Sequence, residues 1–414
     1  MSFKDKLERL GAPSLGTPAG GTSPPERTDV LGALRRKMAE ILAVPAPPPR
    51  PPADPSHTLL PFERVPTAAG MLHRRRLSLP RSHHVGRIPV DAAAGAQGEL
   101  LALLALDTRL SACRPSRALY LDTETTGLGT GGGVWAFLVG MASFDAEGRL
   151  EVEQLLLQSP ADEAALVARV AERIAAAELV ITYNGKTFDM PLLSSRTVMC
   201  RLPPLAERPH LDLLHVARRL HKKRLGACRL VTLESEVLGF VRGPDIEGGE
   251  IPARYAHFLR TGDEDALAGV VEHNAWDVAS MAALVGLYGE PYDLMHPEDL
   301  LGMARTLKRA GALSVAERAA ETALGRGAGP EALRVRGTIA KARGERARAL
   351  ADFEAFSAEA SDPTVRLELV KLYEHFLKLP SRALSLLDEG TGESPEAVVR
   401  RRARLTRKAE RGGA

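Results

Sequence analysis

Four apolar segments with the alternation of half-buried or buried strands stand in the first half of the chain, at residues 118–124, 134–144, 150–157 and 179–183. An alanine-rich amphipathic stretch at 162–177 separates the third from the fourth, and the acids at its start suit the positive end of a helix. The first three strands are joined by short turns that contain glycine. Helical periodicity follows at 210–220, 232–238 and 265–287. Strands interrupted by a helix and followed by helices predict an α/β or α+β class with a mixed sheet.

Beyond residue 299 the strand pattern stops and a repeat begins. Residues 316–321 (AERAAE), 350–354 (LADFE) and 384–388 (LSLLD) recur at a 34-residue spacing, with turns near Gly311, Gly344 and Leu379. That period is the one of stacked helical hairpins, and the pattern loosely resembles tetratricopeptide repeats. The expected domains are a disordered Pro-rich segment at 1–57, a globular domain at 58–298, the helical repeats at 299–392 and a basic tail at 393–414. Proline fills seven of the eleven positions from Pro45 to Pro55, as in a polyproline II linker. Helical spacing of Leu31, Leu34, Met38 and Ile41 predicts one short helix within 29–44. The tail holds seven basic residues between Arg400 and Arg411 and reads as a disordered anchor or a solvated helix end.

Composition narrows the class. Hydrophobic residues make up 44% and charged residues 26% of the 414, as in ordinary globular proteins, and the longest aliphatic run, 100–106, is too short to span a bilayer. No apolar stretch follows the charged N-terminus, which predicts a cytoplasmic protein without a secretory signal. Cys113, Cys200 and Cys228 are odd in number and widely spaced, a poor basis for disulfides or a thiolate zinc site. The net charge is only +3, so partners must be sought in local clusters.

The chemistry concentrates in three segments. In Ala118-Leu-Tyr-Leu-Asp122-Thr-Glu124-Thr-Thr-Gly127 the two acids lie two residues apart on a strand, hence on one face. Two carboxylates so placed repel, and a hard divalent cation such as Mg²⁺ or Mn²⁺ supplies the compensating charge. The second segment runs from Ile181 through Asn184, Gly185, Lys186, Thr187 and Phe188 to Asp189 and Leu193. Its Gly-Lys-Thr is no phosphate loop, because the glycine required five residues earlier is Val180. In the third, Glu272-His273-Asn274-Ala275-Trp276-Asp277-Val278, His273 and Asp277 share a helical face.

Taken in order, Asp122, Glu124, Asp189 and Asp277 resemble the DEDD superfamily of 3′→5′ exonucleases, and within it the bacterial YprB-like group, over roughly residues 58–290. The resemblance implies a ribonuclease H-like mixed sheet flanked by helices and a two-metal phosphodiester hydrolase. Asp122, Glu124, Asp189 and Asp277 would hold two Mg²⁺ or Mn²⁺ ions, with His273 as general base. His273 stands four residues before the last acid, whereas a catalytic histidine in most relatives stands five before it. Leu128 and Phe188 would lie beside the terminal bases, Asn184, Lys186 and Asn274 would complete the substrate contacts, and Asp212 would assist the acids. The implied substrate is a single-stranded 3′ end of DNA or RNA. Basic clusters at Arg74, Arg75, Arg76 and Arg81, and at Arg218, Arg219, Lys222, Lys223, Arg224 and Arg229, are candidate phosphate contacts or solvated faces. The rival readings are a structure-specific endonuclease, and an adaptor whose repeats recruit a protein partner.

Overall fold

The computed structural model describes residues 60–127, 133–243, 246–289 and 292–412. The Pro-rich segment, the short helix expected within 29–44 and Leu128 lie outside them.

A seven-stranded sheet carries the first part of the molecule. Its strands are β1 (Glu63–Thr67), β2 (Gly70–Leu79), β5 (Ala118–Thr125), β6 (Ala136–Phe144), β7 (Leu150–Leu156), β8 (Leu179–Thr182) and β9 (His210–Asp212); β3 (His84–Val85) and β4 (Ile88–Pro89) form a separate two-stranded ladder. The order is β1-β2-β7-β6-β5-β8-β9, antiparallel from β1 to β5 and parallel from β5 through β8 to β9. The expected mixed sheet flanked by helices, followed by an all-helical region, is the fold observed.

Two strands and one edge escaped the pattern. β2 breaks its apolar pattern with four consecutive basic residues, His73 to Arg76, and two of their charges are met within the sheet: Glu63 stands across from Arg74, and Glu153 from Arg76. Such a hairpin lacks the apolar stripe that marks a strand in sequence. Residues 210–220, read as one helix, are the short strand β9 followed by a helix from Leu213, because Asp212 turns the chain and caps it. Residues 232–238 likewise divide, into a helical turn at Leu230–Leu233 and a π turn at Glu234–Leu238.

The flanking helices are α1 (Gly98–Ala105), α2 (Glu163–Ala176), α3 (Asp189–Met199), α4 (Leu213–Leu220), α5 (Ile251–Thr261) and α6 (Asp265–Leu287). Alternation along β5 sends Leu119 and Leu121 into a core with Leu166, Leu192, Tyr255 and Val270, and sends Ala118 and Tyr120 into a second core on the opposite face. Among the described residues, no helix is long and apolar enough to cross a membrane.

Three helical hairpins follow: α7 (Pro297–Arg309) with α8 (Leu313–Gly325), α9 (Pro330–Arg343) with α10 (Arg346–Glu359), and α11 (Pro363–His375) with α12 (Pro380–Asp388). Proline opens α7, α9 and α11 at the position where its missing N–H costs nothing, and these starts lie 33 residues apart. The 34-residue register is therefore one residue long for the first pair: Ala316, Ala349 and Ala383 are the equivalent, fully buried positions. The last helix, α13 (Pro395–Gly412), buries Leu405 and places Arg404 and Lys408 on the buried Glu374, at 2.6 and 2.7 Å. Of the two readings of the basic tail, the chain takes the helical one. The second core does not stop at the sheet: it runs from Tyr120 and Leu220 through Leu300, Met303 and Leu307 to Val335 and Ile339.

Candidate active site

The end of β5 presents Asp122 and Glu124 on the face of Tyr120, and a register shift between Glu124 and Thr125 ends its regular pairing with β6. Thr123, on the other face, donates its hydroxyl to Asp189 Oδ1 at 2.5 Å and so ties the first residue of α3 to the strand. The turn before α3 is held from below. Asn184 adopts φ +68°, a left-handed conformation that asparagine tolerates, and its N–H donates to Asp212 Oδ1 at 2.8 Å. The N–H of Lys186 donates to Asp212 Oδ2 at 3.2 Å, and that of Leu214 to Oδ1 at 3.1 Å.

The third side of the site is α6. Asn274 is fully buried and donates to Asp122 Oδ2 at 2.9 Å, while its own Oδ1 accepts from Gln154 Nε2 at 2.9 Å. Gln154 Nε2 also reaches the Val271 carbonyl at 2.7 Å. Gly140, across the ladder from Asp122, makes room for this contact: a Cβ there would stand 2.3 Å from Asn274 Oδ1. One turn on, His273 Nε2 lies 3.5 Å from Asp277 Oδ2 and 3.9 Å from Glu124 Oε1. One ligand atom from each of Glu124, His273 and Asp277 falls within 4.8 Å of the others.

Arg242 closes the arrangement. It donates to both oxygens of the fully buried Glu234, at 2.7 and 2.6 Å, bonds to Asp277 Oδ1, and places Nη1 3.0 Å from His273 Nδ1. A guanidinium can only donate, so Nδ1 accepts and the hydrogen of the neutral ring sits on Nε2.

These acids crowd one another in a dry place. Burial, then the charges of Asp277, Glu124 and Asp189, hold the Asp122 carboxyl well above the usual carboxylate range, against the hydrogen bond from Asn274. Burial and Asp277 push Glu124 up to about 7, opposed by His273 and Arg242. Asp189 is raised to about 6, chiefly by burial, with the Thr123 hydroxyl working against it. A set of oxygen ligands and one imidazole with a deficit of positive charge is the donor set a hard divalent cation fits.

The structure thus brings together Asp122, Glu124, Asp189, His273 and Asp277. Asn184, Lys186 and Phe188 lie on the turn leading to Asp189, with Lys186 exposed and Phe188 45% exposed. Two expectations need correction. Asn274 does not face a substrate, since its buried amide is spent on Asp122 and Gln154. Asp212 assists the acids only indirectly: it is buried, its oxygens accept backbone N–H groups of the Asn184 turn and of α4, and its charge acts on Asp189. The upstream basic cluster is largely neutralised within the fold, by Arg74 on Glu63 at 2.7 Å, Arg75 on Glu272 at 2.6 Å and Arg81 on Asp91 at 3.3 Å. Thr123, Gly140, Gln154, Glu234 and Arg242 went unread in the sequence. Each stands alone in its segment, and no spacing rule links it to an acid it serves.

The topology, with acids on the first of the central strands, on the helix after β8 and on the last long helix, has a counterpart among known families. Residues 119–288 match the RNase_H superfamily. A 167-residue stretch is 44% identical to the Uncharacterized protein YprB of Bacillus subtilis (strain 168), and the match spans 40% of this chain and 40% of that protein. Ribonuclease H-like folds usually bind divalent metals, and the cluster of Glu124, His273 and Asp277 offers such a site.

Proposed function

We propose that the protein is a metal-dependent 3′→5′ exonuclease of the DEDD type, acting on single-stranded ends of DNA or RNA in the cytoplasm. The observation that carries this reading is the cluster of Glu124, His273 and Asp277, with Asp122 and Asp189 near enough for their charges to act on its acids, in the order the resemblance requires. Asp122, Glu124, Asp189 and Asp277 would hold two Mg²⁺ or Mn²⁺ ions. When bound, such ions activate water and neutralise charge on the scissile phosphate.

The chain's own residues keep this set in place. Gln154 orients Asn274, Asn274 orients Asp122, Thr123 holds Asp189, and Arg242 holds Asp277 and His273 together. With Arg242 on Nδ1, His273 carries its hydrogen on Nε2 and acts as a donor toward the acids. It becomes the general base once Arg242 releases Nδ1. Phe188 and Lys186, exposed beside Asp189, would meet the terminal nucleotide. The segments 1–57, 58–298, 299–392 and 393–414 serve here as functional regions, with tetratricopeptide-like repeats in the third. The second and third are not separate folding units, because one core crosses residue 298.

The test is digestion of 5′-labelled single-stranded DNA and RNA of one sequence with Mg²⁺ or Mn²⁺, comparing the wild type with Asp277→Asn. A metal-dependent ladder that shortens stepwise from the 3′ end, and is lost in the variant, is expected. Discrete internal cuts would instead establish an endonuclease, and intact substrate with folded, oligonucleotide-binding protein would establish an adaptor.

A further inference from the structure

We propose that the inner face of the helical hairpins is a second nucleic-acid surface, which holds the 5′ portion of the strand whose 3′ end enters the ribonuclease H-like site. The proposal rests on the nuclease reading above and extends it to a part of the chain that the RNase_H match does not reach.

The first helices of the three hairpins, α7, α9 and α11, line a cleft of about 430 Å³ whose wall includes Lys308, Arg334 and Lys341, and an adjoining cleft of about 220 Å³ adds Arg305. Lys308 and Lys341 occupy the same position in successive hairpins, 33 residues apart. The acids beneath do not balance these cations. Glu331 alone takes Lys223 at 2.9 Å, Arg334 at 2.6 Å and Arg305, and Arg334 has a second, longer contact with Asp362 at 3.8 Å. Glu368 is shared by Lys341 and by Lys371 at 2.8 Å, and Lys308 has no acidic partner among the described residues. Stacked helices that needed ion pairs only for cohesion would match charges one to one. An excess of cations along two adjoining clefts is instead the footprint of a polyanion.

The same cations lead back to the acids. Lys223 belongs to the ribonuclease H-like domain yet shares Glu331 with the groove. Beside it Arg218, Lys222 and Arg229 are exposed and without an acidic partner among the described residues. Arg218 and Lys222 lie close enough to Cys228 for their charges to act on its thiol, and the Tyr183 hydroxyl donates to the Cys228 carbonyl at 2.7 Å. Tyr183 immediately precedes the Asn184–Lys186 turn that delivers Asp189. A basic path therefore runs from the catalytic turn through Arg218, Lys222 and Lys223 into the groove. That continuity favours the substrate strand over an acidic peptide, which would have no reason to follow the path to the acids.

The experiment uses the full chain with 5′-fluorescein single strands of 10 and 40 nucleotides, binding being read by anisotropy in EDTA between 50 and 200 mM salt. In Lys308→Gln/Lys341→Gln the affinity for the 40-mer should fall about tenfold or more at the lowest salt. Its salt dependence should become shallower by about 1.4, at roughly 0.7 per lost phosphate contact on a single strand. Binding of the 10-mer, and its digestion with Mn²⁺, should not change. Arg218→Gln/Lys222→Gln, which alters only exposed side chains, should show the same length-dependent loss and carries the test should the first variant not fold. Unchanged affinity and salt slope on the 40-mer would overturn the proposal, as would groove-dependent binding of poly-glutamate without a matching effect on the 40-mer. Wild-type protein that cleaves neither strand, with the length-dependent loss intact, would sink the nuclease reading and leave the surface standing.

Discussion

Arg242 is the residue on which the most contacts of the candidate site depend, because three acidic or basic side chains from two separate segments end on its guanidinium. Glu234 behind it is fully buried, and its carboxyl is raised by burial even while Arg242 opposes the shift. Removing one member of a buried pair leaves the other charge without compensation, at a cost of about 3–5 kcal/mol. Arg242→Gln should therefore destabilise the protein by roughly that amount, and by more than Glu234→Gln, because it strands Asp277 as well as Glu234. The two differ in a second way. A divalent cation can take over the charge lost beside Asp277 but not that beside Glu234, so Mn²⁺ should raise the melting temperature of Arg242→Gln more than that of the wild type. Equal Mn²⁺ shifts in the two proteins would show that Arg242 has no part in holding Asp277. At this scale the sequence was legible where residues come in a recognisable order: the four acids and His273 stood out through the resemblance, and the fold sets them on β5, α3 and α6. It was opaque where chemistry is supplied by one residue at a distance. Arg242 sits in a loop of ordinary composition, and Gly140 becomes meaningful only when Asn274, 134 positions later, is seen to fill the space its missing side chain leaves.

Among the elements, the parallel edge formed by β8 and β9 carries a pH dependence of its own. His210, on β9, has Nε2 2.8 Å from Thr182 Oγ1 on β8, and burial, with the Lys186 charge adding to it, pushes its pKa down to about 4. An imidazole whose folded pKa lies below its unfolded value of 6.5 is held neutral by the fold. The unfolded chain then binds the proton first. Its contribution is fully present above pH 6.5 and is lost as the pH falls toward 4, a loss on the order of 2 kcal/mol by pH 4.5. Melting temperatures measured between pH 7 and 4.5 should fall less steeply for His210→Asn than for the wild type; parallel curves would mean that His210 is hydrated rather than buried. The same three-residue strand shows why element boundaries were only partly legible. Apolar spacing across 210–220 fits one helix, and nothing in it shows that Val180 and Thr182 would capture the first residues as a strand. The β1–β2 hairpin was missed for a related reason, since its run of basic residues is balanced partly by Glu63 across the hairpin and partly by Glu153 on β7, far away in sequence. The long helix at 265–287, whose pattern depends on no distant partner, was read to its ends.

At the scale of the whole molecule, the sharp change from strands to helices suggests two bodies joined near residue 298, while the packing joins them into one. α7 lies against α4 so closely that a Cβ on Gly302 would stand 2.3 Å from the Leu220 carbonyl oxygen and 2.7 Å from its Cα. Leu300, Leu301, Met303 and Leu307 are each at most 2% exposed and belong to the core that also holds Leu220 and Tyr288. Burying each such side chain is worth about 1.5–3 kcal/mol, so these four contribute roughly 6–12 kcal/mol. That is comparable with the whole stability of a typical domain, about 5–15 kcal/mol. A chain ending at residue 296 should therefore lack a cooperative melt and aggregate, although it retains every acid of the candidate site. A chain ending at 344 keeps this core, whose last member is Ile339, and gives up only the separate cluster around Phe353, Tyr373 and Leu405. It should melt cooperatively and, on the nuclease reading, cleave short strands in the presence of metal as the full chain does. The decisive comparison is calorimetry of the two chains side by side. If the one ending at 296 melts as sharply as the one ending at 344, the first hairpin is an appendage; the packing of Gly302 and its neighbours instead makes it the closing wall of the ribonuclease H-like domain.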